Sequence, residues 1–95
     1  MIEFRQMKYF IGVAEELHFG RAAARMHIAH SALSEQIKLL EETLGVELLL
    51  RTTRTVRLTV AGSIFLAHCR LLLQHLDTAV ALTRMSAKEI VNEPQ

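Results

Sequence analysis

Two clusters in this 95-residue chain carry side chains suited to gripping a polyanion. The first is His30-Ser31-Ala32-Leu33-Ser34-Glu35 with Lys38, at the start of an apolar, helix-periodic segment. A helix beginning there presents unpaired backbone amides and the positive end of its dipole, both of which favour a phosphate. Ser31, Ala32 and Ser34 are small enough to let that end sink into a groove, while Ser34 and Lys38 are placed for the nucleic-acid backbone. The second cluster is Arg51, Arg54 and Arg57, in a stretch from Leu48 to Leu76 that contains no acidic residue. Arg54 suits phosphate or a narrow minor groove, with the other two flanking it. Arg21 and Arg25 add cations upstream; Arg25 reads equally well as a phosphate contact and as a solvated charge.

Other chemistries have less to stand on. There is no nucleophile–base–acid set, no glycine-rich phosphate loop and no pair of carboxylates in a cleft, so an enzyme is not expected. Glu41 and Glu42 read as a solvated helix surface. Among the five histidines, His27 and His30 flank a turn, and His68 and His75 share a helical face but lie two turns apart. Neither pair has the tight four-ligand spacing of structural zinc, and no metal or organic cofactor is implied. Cys69 is the only cysteine, which excludes an intrachain disulfide and fits a reducing, cytoplasmic setting; it reads as a packed thiol. No cationic-then-apolar leader and no apolar run of ~18 residues is present, so no membrane partner is expected. With 11 Lys+Arg against 10 Asp+Glu, any affinity for nucleic acid must come from where the charges lie.

For the first cluster to meet a groove, a helix must hold it at an exposed end. Leu33, Ile37, Leu40 and Leu44 line one face of a helix predicted from about Ser31 to Leu44. Ser31 is its expected cap, Lys38 and Glu42 an i,i+4 pair, and Gly45 its left-handed stop. Ala22, Ala23 and Met26 mark a shorter helix from Arg21 to about His27, with Gly20 as a weak cap. Only His27-Ile28-Ala29-His30 joins the two. A first helix whose contact face is mostly alanine can cross the second steeply, the geometry of a helix-turn-helix. Upstream, Phe4, Met7, Phe10, Ile11, Ala14 and Leu17 predict a helix from about Phe4 to Leu17, with Glu3 at its positive end. After Gly45 the period becomes two. Val46, Leu48 and Leu50, then Val56, Leu58 and Val60, alternate around Thr52-Thr53-Arg54-Thr55 and predict a two-stranded hairpin, a wing.

Thr59 can cap a final helix predicted from about Ala61 to Ala87, which at 1.5 Å per residue is ~40 Å long. Phe65, Cys69, Leu72, Leu76, Ala79 and Thr83 follow coiled-coil seam spacing, widened by Leu73 and Val80. Ile64, Leu66 and Leu71 lie off that seam, so the helix is apolar on more than one side. So small a domain cannot cover it, and the exposed stripe predicts self-association. The expected fold class is all-α with a small two-stranded wing: a winged helix-turn-helix over residues 1–60, a dimerising helix over 61–88 and a flexible tail over 89–95.

The chain resembles the N-terminal DNA-binding domain of LysR-type transcriptional regulators. The resemblance rests on Phe4-Arg5-Gln6-Met7-Lys8-Tyr9-Phe10, Phe19 with Ala22-Ala23, and Ala32-Leu33-Ser34 with Gln36-Ile37. It continues through Leu40-Glu41 with Leu44-Gly45, Leu48-Leu49 with Arg51, Arg54, and Leu58-Thr59 with Ala61-Gly62, reaching about Met85. It implies a winged helix-turn-helix whose long linker helix pairs two chains on a partly palindromic double-stranded DNA operator. It further implies a higher oligomer in the intact regulator and a small-molecule effector bound by a larger C-terminal domain, before which this chain stops. His30, Ser31, Ala32 and Glu35 match the family positions that face base edges. There the chain departs from the family's usual Gln, Pro and Arg, with His30, Ser31 and Glu35 respectively. Glu35 reads equally as a base contact and as a residue that is solvated or paired with Lys38. The competing expectation is a protein-interaction module that uses the helix-turn-helix only as scaffold.

Overall fold

The computed structural model describes residues 1–87 and 89. Six elements follow one another: α1 (Phe4–Glu16), α2 (Phe19–Arg25), α3 (His30–Leu44), β1 (Leu49–Arg51), β2 (Val56–Leu58) and α4 (Val60–Met85). The tail expected from residue 89 lies outside the described residues, apart from Glu89.

The three- and four-residue apolar steps become a single core. Met7, Phe10, Val13 and Ala14 of α1 meet Ala22 and Ala23 of α2 and Leu33, Ile37 and Leu40 of α3. Phe10, Val13, Leu33, Ile37 and Leu40 are closed to solvent. Close approach is helped by Gly12 of α1, where a Cβ would fall 2.6 Å from Cε of Met26.

Helix ends differ from expectation for local reasons. Glu3 is the N-cap of α1, and Gln6 Oε1 accepts from its N–H at 3.1 Å. Leu17 closes α1 in the left-handed region at φ 49°, one residue earlier than its apolar pattern suggests. α2 is capped by His18, not Gly20, and therefore starts at Phe19: His18 Nδ1 accepts from Arg21 N–H at 2.9 Å. The turn into α3 runs through His27 at φ 56°. α3 begins at His30, so Ser31 lies inside its first turn and does not cap it. The capping position is Ala29, which has no side-chain acceptor. Gly45 stops α3 at φ 74°, as its type predicts.

The hairpin is antiparallel, pairing Leu49 with Leu58, Leu50 with Arg57 and Arg51 with Val56. It is shorter than the alternating pattern, because the amide of Leu48 is taken by the Glu41 carboxylate before the ladder begins. Thr52 shapes its turn: the hydroxyl accepts from the amides of Arg54 and Thr55 at 3.1 and 3.0 Å.

Thr59 caps α4 as expected, its Oγ1 accepting from Gly62 N–H at 2.8 Å and donating to Glu47 O at 2.7 Å. The inner face of α4 then differs from the predicted seam. Cys69 is fully buried, Phe65 is half-buried with its ring 5.7 Å from that of Phe10, and Leu66, read as off the seam, is buried. The early α4 residues are drawn against α1, which lies alongside; Cys69 is therefore core and unavailable to a partner. Burial pushes its thiol pKa up to about 11. Beyond it Leu71, Leu72, Leu76, Val80, Leu82 and Met85 are exposed, and Leu73 is half-buried. The 26 residues of α4 span ~39 Å within a molecule of 59 × 27 × 19 Å, so the outer half projects from the body.

Candidate nucleic-acid interface

A groove of about 320 Å³ runs between the start of α2, the start of α3 and the wing. Leu17 to Gly20 line one side, His30 and Ser34 the floor, and Arg51 to Val56 the other side. Four predicted contact residues thus converge: His30, Ser34, Arg51 and Arg54. Ser31, Ala32, Glu35 and Lys38 lie outside this lining but are exposed on the same helix, within its first nine residues. Because Ala29 offers no capping oxygen, the first amides of α3 have no acceptor from that side chain. A phosphate there would supply one.

The arginines divide into anchored and free. Arg51 is held inward. Its Nη1 donates to Ser34 Oγ at 3.4 Å, its Nη2 reaches Glu41 Oε1 at 3.5 Å, and its guanidinium carbon sits 4.5 Å from the Phe19 ring centroid. Arg54 at the wing tip is exposed and forms no ion pair among the described residues. Arg57 is also exposed but lines the neighbouring groove with Glu41, Glu47 and Leu50, apart from His30. Arg21 lies 3.6 Å from Glu16 and donates to its carbonyl at 3.2 Å.

Arg25 is engaged by carboxylates of α1. It pairs with Glu15 at 2.6 Å and Glu16 at 3.3 Å, while Arg70 reaches Glu15 at 2.9 Å. Hydrogen bonds from Arg25, and then Arg70, hold the Glu15 carboxyl below its ordinary range. Three helices are tied together at that point. Neither Glu35–Lys38 nor Lys38–Glu42 forms an ion pair among the described residues, as befits exposed pairs whose attraction barely exceeds the entropy of ordering them.

Glu41 overturns its reading as a solvated surface charge. Its side chain is 15% exposed, and Oε2 accepts from the amides of Leu48 and Leu49 at 2.8 and 3.2 Å. One carboxylate of α3 thereby fixes the entry to the wing. Phe19 also matters more than periodicity suggests: its ring is buried, and His30 stacks on it at 6.0 Å with 21° between planes. The signal for Glu41 was its place one turn before Gly45, facing a loop whose amides needed acceptors.

The match to known proteins follows this geometry. The sequence profile described as "Bacterial regulatory helix-turn-helix protein, lysR family" matches residues 4–63. The HTH-type transcriptional regulator AlsR of Bacillus subtilis is 52% identical over 87 residues, which cover 92% of this chain and 29% of AlsR. ClcR of Pseudomonas putida is 44% identical over 92 residues, covering 97% and 31% respectively. This chain therefore spans under a third of the length of these curated relatives. Among solved structures, the BenM DNA-binding domain in complex with benA site 1 DNA superposes with a TM-score of 0.90 at 39% identity, covering 94% of this chain and all of that one. The corresponding CbnR domain–DNA complex gives 0.89 at 40%, over 92% of this chain and all of that one. With an all-helical body, a two-stranded wing and these matches, the chain belongs to the lysR family of bacterial regulatory helix-turn-helix proteins.

Proposed function

We propose that this chain is the sequence-specific, double-stranded-DNA-binding part of a homodimeric transcriptional regulator acting in the cytoplasm. The observation that carries this reading is the uncapped start of α3, with Ser31, Ala32 and Glu35 exposed beside a groove edged by Arg54. The end of α3 enters the major groove; Ser31, Ala32, His30 and Glu35 meet base edges, and Ser34 and Lys38 the backbone. Arg54 takes phosphate or the minor groove, while Arg51, Arg57 and Arg21 contribute positive potential from anchored or flanking positions. Likeness to domains solved on DNA supports the reading. A small-molecule effector and higher assembly belong to the larger part of such a regulator that this chain does not span.

Gel-shift titration tests the wing. Arg54→Ala weakens binding to every duplex, specific or random, by about fivefold and lowers the salt slope by about one unit. Unchanged affinity removes the wing tip from the contact set. Indifference of the parent chain to random duplex in dilute salt favours the scaffold-only alternative.

Dimerisation is proposed through the projecting half of α4, where Leu72, Leu73, Leu76, Ala79, Val80 and Thr83 keep the seam spacing. Phe65 contributes only at its edge, since it also packs on Phe10. Two copies related by symmetry then address half-sites about one helical turn, or a multiple, apart. The double substitution Leu72→Glu/Leu76→Glu raises the dimer dissociation constant about tenfold or more in analytical ultracentrifugation, while the helical content stays unchanged. A dimer of unaltered strength places the interface elsewhere.

A further inference from the structure

Phe19 belongs to the core and to the groove at once. It is 7% exposed, yet His30 stacks on its ring and the Arg51 guanidinium lies over it. Arg51 in turn donates to Ser34, one turn along α3 from His30. A side chain on the first residue of a helix has several rotamers open to it unless a neighbour closes them. Near-parallel stacking fixes the plane of the imidazole, and with it the directions in which Nδ1 and Nε2 donate or accept. A histidine reads a base edge through one directional hydrogen bond, so the orientation of the ring decides which base it prefers.

We propose that Phe19 is a positioning residue for base readout: without touching DNA, its ring orients His30. The inference rests on the DNA-binding reading above and names what sets its specificity at residue 30.

The test is selection of preferred duplexes from a random pool by the parent chain, Phe19→Leu, His30→Ala and the double variant, with a thermal melt for each. His30→Ala identifies the base pair that residue 30 reads. Phe19→Leu keeps an apolar side chain and removes the ring. It lowers discrimination at that base pair about tenfold, leaves other positions and random-duplex affinity within about threefold, and adds nothing in the His30→Ala background. Phe19→Tyr, which retains the ring, keeps the parent profile. Should leucine leave the domain unfolded, Phe19→Met carries the same expectation. A folded Phe19→Leu or Phe19→Met with the parent profile at that base pair, or with a uniform loss at every position, overturns the positioning role alone. A parent chain that selects no sequence overturns the DNA-binding reading, and this inference with it.

Discussion

Gly62→Ala destabilises the domain by about 3 kcal/mol, and Gly62→Val prevents folding. A Cβ at this position runs into the carbonyl oxygen of Leu48 and lies 3.0 Å from its carbon and 3.2 Å from Cδ2 of Leu58. The obstacle is backbone that cannot step aside. The Leu48 carbonyl accepts from Thr59 N–H at 3.0 Å, and its amide is held by Glu41 at 2.8 Å. Helix propensity argues the other way, since alanine is favoured over glycine by about 1 kcal/mol inside a helix. The overlap is larger, so the sign is destabilising. Ser63→Ala, one residue on and exposed, changes stability by less than about 0.5 kcal/mol. Urea denaturation of the three variants decides the matter. An alanine variant as stable as the parent means that α4 does not sit on the wing entry as described.

Glu41→Ala costs about 3 kcal/mol and also weakens DNA binding, although Glu41 is acidic and its removal raises the net charge. Truncation leaves the amides of Leu48 and Leu49 without their acceptor and Arg51 without its carboxylate. Hydrogen bonds to a charged group contribute roughly 1.5–3 kcal/mol, and a partner left unpaired adds its desolvation. Glu41→Gln keeps one carbonyl oxygen for the amides but turns its NH2 donor toward Arg51, so it costs about half as much. Electrostatics alone predicts tighter binding to a polyanion after either change. Loosening of the wing outweighs it, because Arg51 and Arg54 then lose their fixed place beside α3. Chemical denaturation and gel shifts on the same preparations separate the two effects. Tighter binding by Glu41→Ala would show that net charge matters more than wing placement.

Apolar periodicity carried much of the architecture into view. The stripe Leu33, Ile37, Leu40 and the steps of Met7, Phe10 and Ala14 became the core, joined by Val13, which that pattern omits. Phe4 and Leu17 at its ends are exposed. Thr59 and Gly45 acted where their types suggested. Helix starts were legible to within one or two residues. His18 caps α2 in place of Gly20 because its ring nitrogen reaches an amide, while α3 starts one residue before Ser31 without any side-chain cap. Polar partnerships across the fold were not legible. Glu41 and Glu42 are adjacent and alike in type, yet only Glu41 faces the amides of the wing entry. Arg25 and Arg54 are alike in sequence, yet only Arg25 has glutamates from α1 within reach. The inner part of the predicted α4 seam is taken up by the core, since spacing reports which residues share a face but not whether α1 already occupies it.

Cys69 has a practical corollary. Its thiol is wholly enclosed and hard to ionise, and thiolate is the species that electrophilic labels attack. At neutral pH the native protein is therefore a silent background into which a dye can be placed through a cysteine introduced at the wing tip. Once the fold opens, the same sulfur becomes reactive, and its modification rate reports how often α4 lifts from α1.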